Sequence, residues 1–149
     1  MSIGRSGQRL LTSCVVALAL LVCAKAGAQD QRPDRVVYHF VDGNDQASRG
    51  LDYIRNHLAV NSAAQITVVG HAAGVNFMMK GAKTAKGNDY RGMIEDLELQ
   101  GVKFKVCEIT LRERGLGRDQ FIPEVSFVAS GVAEITRLQQ REGYAYLRP

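Results

Sequence analysis

Three short runs of β-branched and aromatic residues, each followed by a turn or a stretch of helical period, constrain this chain more than any other feature. Arg35 to Val41 (RVVYHFV) stops at Asp42-Gly43-Asn44-Asp45, a strong turn signal, and reads as a first strand. Ala47, Leu51, Ile54 and Leu58 then fall on one helical face, so a helix runs to about Asn61 with Asp45 as its expected N-cap. Gln65 to His71 is the second strand, apolar enough for a sheet covered on both faces. Residues 72–87, with Gly74, Gly81 and Gly87, read as a loop with one helical turn at most.

From Asn88 a helical pattern resumes through Tyr90, Ile94 and Leu97 and closes at Gly101. Val102 to Ile109 is expected as a third strand with Cys107 near its end, and Thr110 to Gly117 as a short helix. Glu124 to Ala129 makes a fourth strand. Ser130 caps a last helix along Val132, Ile135 and Leu138, which Gly143 ends, and Tyr144 to Leu147 is a short terminal strand. Strands alternating with helices of this length fold as right-handed βαβ units, an α/β domain with a mainly parallel sheet of about five strands between helical layers. Ligands in such sheets collect outside the carboxyl ends of the strands, where Asp42 to Asp45, His71 and Cys107 all fall.

Ahead of the first strand lies the layout of a secretory signal: Arg5 and Arg9, an apolar run from Leu10 to Ala24, then Ala26-Gly27-Ala28, an A-x-A cleavage pattern. Val22 is too bulky for the lipoprotein processing that Cys23 would otherwise suggest. Residues 1–28 are expected as a signal peptide cut after Ala28, residues 29–34 as a flexible leader, and residues 35–149 as the domain, exported to the periplasm. Removing Arg5, Arg9 and Lys25 takes the formal charge from +4 to +1. A nearly neutral domain lacks the footprint of a nucleic-acid or membrane-surface binder. The 121 residues left hold one core.

Cys14 and Cys23 lie in the signal, so Cys107 is the one cysteine of the mature chain and no intrachain disulfide is possible. A thiol supplies a soft nucleophile that carries sulfur once its pKa is lowered, for which a following helix N-terminus or Arg112, Arg114 and Arg118 are the candidate causes. Free cysteine is also a frequent core filler. His71 is placed to orient the thiol or bind an anion, whereas His39, inside an apolar run, reads as a packed, hydrogen-bonded residue and His57 as a surface one. Asp42 and Asp45 read mainly as turn and cap chemistry. Met78 and Met79 with His71 and Cys107 would suit a soft metal, but adjacent methionines do not face one way, and core filling explains them as well. Phosphate-binding loop, nucleophile-elbow, C-x-x-C and H-E-x-x-H motifs are absent.

Gly101 to Leu111 (GVKFKVCEITL), Val128 to Glu134 (VASGVAE), Leu138-Gln139-Gln140 and Gly143 to Pro149 (GYAYLRP), with the Asp-Gly-Asn turn and Val68-Val69-Gly70-His71, together resemble the exported branch of the DsrE/DsrF-like family over nearly the whole mature chain. Ala72 stands where glycine is expected and Ala129 where proline is. The resemblance implies a flavodoxin-like three-layer fold, a homotrimer or homohexamer, no cofactor, and a cysteine that carries a persulfide in sulfur-relay members, a position matched by Cys107. On this reading Cys107 is the catalytic thiol, Asp42, Asn44, His71 and Arg112 shape a ligand pocket without metal, and the partner is a small sulfur compound or a thiol protein. The reading requires a sulfur that solvent can reach. A non-catalytic oligomeric binding module is the alternative and a soft-metal (copper) binder the third.

Overall fold

The computed structural model describes residues 33–149. The expected signal peptide and most of the leader lie outside the described residues. Asp34, assigned to the leader, is in fact held: its carbonyl accepts from Gln65 N–H at 2.7 Å and its carboxylate from Asn61 Nδ2 at 2.7 Å.

The chain runs β1 (Arg35–Phe40), α1 (Asn44–Val60), β2 (Gln65–Gly70), a 3-10 segment (Ala72–Met78), α2 (Tyr90–Glu98), β3 (Lys103–Cys107), α3 (Glu108–Arg114), a 3-10 turn (Arg118–Gln120), β4 (Val125–Val128), α4 (Gly131–Glu142) and β5 (Ala145–Leu147). The five strands form one sheet in the order β4-β3-β2-β1-β5, every neighbouring pair parallel. The short terminal strand therefore completes its own chain's sheet, with Val37 opposite Tyr146.

Because successive strand residues face opposite ways, each strand feeds two layers. Val36, Tyr38, Phe40, Ile66, Val68, Phe104 and Val106 pack with Leu51, Ile54 and Leu58 of α1, Ile94 and Leu97 of α2, and Leu111 of α3. Val37 and Val69 on the other face pack with Ile135 and Leu138 of α4 and Tyr144. Each fully buried large apolar side chain contributes about 1.5–3 kcal/mol, so the larger layer dominates stability. Packing there is tight enough that a Cβ on Gly74 would sit 2.1 Å from the Phe40 carbonyl oxygen, which explains a glycine in the 3-10 segment that periodicity could not place.

Several boundaries differ from the sequence expectation. The third strand stops at Cys107, and Glu108-Ile109 open α3 instead of extending it. α1 begins at Asn44 after Gly43, so Asp45 lies in the first turn and is not the cap. Buried Gln46 closes the preceding turn: its Oε1 accepts from the N–H groups of Val41 and Asp42, both at 2.8 Å.

The topology places the site. The chain leaves β3 into α3, on the layer of the larger cluster, and leaves β4 into α4, on the opposite layer. Loops after these neighbouring strands therefore diverge, and the crevice between their carboxyl ends is a switch point of the sheet. Cys107 stands at its edge, opposite Val128 of β4.

Candidate functional site

Cys107 is the last residue of β3 and the N-cap position of α3, and it faces the α4 layer. It is buried, with 4 % of its surface exposed, against the expectation of an open sulfur. Yet it belongs to neither hydrophobic cluster. Burial pushes the thiol pKa up; the polar groups of Gly131, Thr110 and Ile109 around the sulfur outweigh it, so the pKa lies below the ordinary thiol value, although the Cys107 side chain makes no capping hydrogen bond to α3. These groups come from the first turns of the two helices that diverge at the crevice, α3 and α4.

Arg112 does not supply this anion stabilisation. It is exposed on α3, in a shallow groove with Glu108, Leu111, Gly115, Leu116 and Arg118, and is not among the groups acting on the sulfur. Arg118 pairs with Glu108, and Arg114 holds the Ala72 carbonyl at 2.9 Å and Asn76 Oδ1 at 2.8 Å. The role that sequence reasoning gave an arginine falls to Thr110 and backbone amides.

His71 and Cys107 share Gly131 as a neighbour. His71 follows β2 on the same face, and both side chains flank Gly131: a Cβ there would meet Cys107 Cβ at 3.2 Å and His71 Cβ at 3.3 Å. The next residue, Ala72, has φ +50°, a left-handed conformation costly for an L side chain. Its amide donates to Thr110 Oγ1 at 2.9 Å, so the hydroxyl that serves Cys107 is also the anchor of the strained loop. With its oxygen taking up the amide proton, the hydroxyl is free to donate to sulfur.

Asp42 and Asn44 lie farther along the rim, because β2 separates β1 from β3. Exposed Asp42 binds Arg148 Nη2 at 2.8 Å, and Asn44 opens α1, its carbonyl accepting from the Tyr90 hydroxyl at 2.8 Å. His39, which the sequence reading kept as packed and hydrogen-bonded, joins the two regions. Its Nε2 lies 2.6 Å from His71 Nε2 and its Nδ1 2.7 Å from the Tyr146 hydroxyl. Burial, then the charge of His71 and of Arg148, bring the His39 pKa down to about 4, with Asp42 opposing; burial and Arg148 also lower that of His71. Both rings are neutral at pH 7.

Met78 is buried in the cluster on the opposite face of the sheet from Cys107, which dissolves the grouping of methionine, His71 and Cys107 considered for a soft metal. No group of three or more His, Cys, Asp or Glu residues converges as a metal site among the described residues.

The model of the DsrE/DsrF-like family matches residues 35–149, the whole of this sheet and its helices. The chain belongs to the DsrE/DsrF-like family. Among solved structures, a protein of unknown function from Methanobacterium thermoautotrophicum, MTH1491, is 35% identical with a TM-score of 0.69, covering 78% of this chain and 99% of its own. The ychN protein from E. coli shares the fold at 17% identity and a TM-score of 0.64, with the same coverage of each chain. No curated protein matches this DsrE/DsrF-like chain.

Proposed function

We propose that the protein is a periplasmic sulfur carrier in which Cys107 takes up sulfane sulfur as a persulfide and passes it to a thiol or small acceptor. Family membership supports a role of this kind. The observation that carries it is the position of Cys107 at the carboxyl end of β3, at the N-cap of α3 and against the first residue of α4, where the polar groups of two helix starts favour a sulfur anion. A neutral thiol is a weak acceptor and would leave those groups poorly satisfied, whereas a thiolate or persulfide anion satisfies them. Thiosulfate illustrates the chemistry: the thiolate attacks its outer sulfur, the S–S bond of the donor breaks, and sulfite leaves, giving Cys–S–S⁻ with no external oxidant.

Intact-mass measurement after incubation with thiosulfate or polysulfide tests the proposal. The wild-type chain gains whole sulfur atoms and Cys107→Ser gains none; no gain on wild type, or equal gain on both, overturns it. The low exposure of Cys107 favours a second reading, a non-catalytic binding module in which the residue only packs. That module would react with thiol reagents only as fast as the fold opens.

A further inference from the structure

We propose that Tyr146, His39 and His71 form a proton-conducting chain that carries to solvent the proton an acceptor thiol gives up when it takes sulfur from Cys107. The inference rests on the sulfur-relay reading for its purpose and on independent geometry for its existence.

The two imidazoles meet end to end. Their Nε2 atoms are 2.6 Å apart while the ring centres are 4.7 Å apart, little less than the head-on limit of two ring radii added to that gap, with the planes inclined by 26°. Such collinear nitrogens hold one N–H···N bond, so one ring donates and the other accepts. At the outer end, His39 Nδ1 meets the hydroxyl of Tyr146, a residue 42% exposed on β5. At the inner end, His71 flanks Gly131 together with Cys107. Side chains from β1, β5 and the residue that follows β2 thus connect the buried thiol's neighbourhood to water, and none of the three belongs to either hydrophobic cluster.

The groups around the pair are Arg148 and Tyr146 from the C-terminal segment and Asp42 from the turn after β1; Cys107 shares Gly131 as a neighbour with His71, and Lys105 and Glu134 on the same face are occupied with each other. Burial first, and Arg148 after it, favour the neutral rings, the state in which an imidazole both accepts and donates.

The transfer balances. When an acceptor thiol R–SH attacks the persulfide, R–S–S⁻ forms, Cys107 leaves as thiolate and one proton is released. His71 takes it on Nδ1 while its Nε2 proton moves to His39 Nε2. The His39 Nδ1 proton passes to the Tyr146 oxygen, whose own proton goes to water. Rotation of the hydroxyl and return of both tautomers reset the chain.

The test is discharge of the persulfidated protein to a small thiol, followed against pH, with and without added imidazole. His39→Ala is expected to slow discharge by about tenfold or more, and imidazole in the buffer is expected to recover most of the loss. Tyr146→Phe, an exposed change that leaves folding intact, is expected to slow it by a smaller factor. Discharge at the wild-type rate in both variants, or a loss that imidazole does not recover, overturns the proposal. Ring-nitrogen ¹⁵N spectra of the unloaded protein separate this failure from that of the relay itself. Tyr146→Phe must shift the His71 nitrogens, and the shift must vanish in a His39→Ala background, which separates the hydrogen-bonded route from the one through Arg148. Unmoved nitrogens refute the chain even where sulfur loads, and a wild-type protein that takes no sulfur refutes the relay whatever the spectra show.

Discussion

The Ala72 amide donates to Thr110 Oγ1 at 2.9 Å, tying a residue in left-handed conformation after β2 to the helix that follows Cys107. A glycine at Ala72 removes the Cβ clash, about 1–2 kcal/mol, and costs about 0.5–1 kcal/mol in chain entropy. Ala72→Gly is therefore expected to stabilise the fold by about 0.5–1 kcal/mol, read by urea unfolding, with reactivity of Cys107 unchanged. Destabilisation would mean that the strain is not stored at this residue.

Thr110→Val keeps the shape of the side chain and deletes the hydroxyl. The Ala72 amide and the sulfur each lose a partner, so the thiol pKa rises and stability falls by about 1–3 kcal/mol. Thr110→Ser restores the pKa. Ultraviolet titration of the thiolate reads both; identical titrations for valine and serine would remove Thr110 from the site.

Gly131 is the first residue of α4 and stands against both Cys107 and His71. Gly131→Ala adds a methyl at 3.2–3.3 Å from their Cβ atoms, tighter than ordinary contact. Overpacking of this kind costs about 1–3 kcal/mol, and displacing α4 pulls its N–H away from the sulfur. Lower stability together with slower alkylation of Cys107 is expected. Slower alkylation without loss of stability would point to simple blocking of access.

Acid is expected to weaken the fold in two stages. His39 titrates at about 4 in the folded chain against 6.5 for an ordinary histidine, so the unfolded chain binds the proton first and stability falls as pH drops from about 6.5 towards 4. Glu134 is held down to about 2 by Arg137 and Lys105, with burial opposing, against an ordinary 4.5. Its contribution of about 2–3 kcal/mol is complete above pH 4.5 and is lost as pH falls towards 2. Glu134→Gln is expected to flatten the lower stage and leave the upper one, in unfolding curves measured across that range.

How far the sequence reveals the molecule follows from the range of the forces involved. Val36-Val37-Tyr38 and Ile66-Thr67-Val68-Val69 announce strands through β-branching and aromatic content, and Ser130 announces α4 through its cap, which the structure shows accepting from Ala133 N–H. The end of β3 is not legible, because apolar Ile109 continues the pattern while the partner strands stop: β2 ends at Gly70 opposite Val106, and β4 at Val128 opposite Cys107. The 3-10 segment has no period, and its Gly74 answers to the carbonyl of a residue far back in the chain. Cys107 and His71 stand out by residue type at strand ends. Thr110 bonds a loop amide 38 residues back and Gly131 packs against two strand ends, neither of which a local pattern marks, and His39 meets a tyrosine 107 residues away.

Everything functional depends on whether a sulfur with so little exposed surface is chemically available in the folded protein. Alkylation of Cys107 by a small neutral reagent in native buffer, followed against pH and against low concentrations of denaturant, decides this. A single labelled site, a rate set by a thiolate formed below the ordinary thiol pKa, and no dependence on denaturant below the unfolding transition are expected. Labelling that proceeds only at the rate of global unfolding would contradict it.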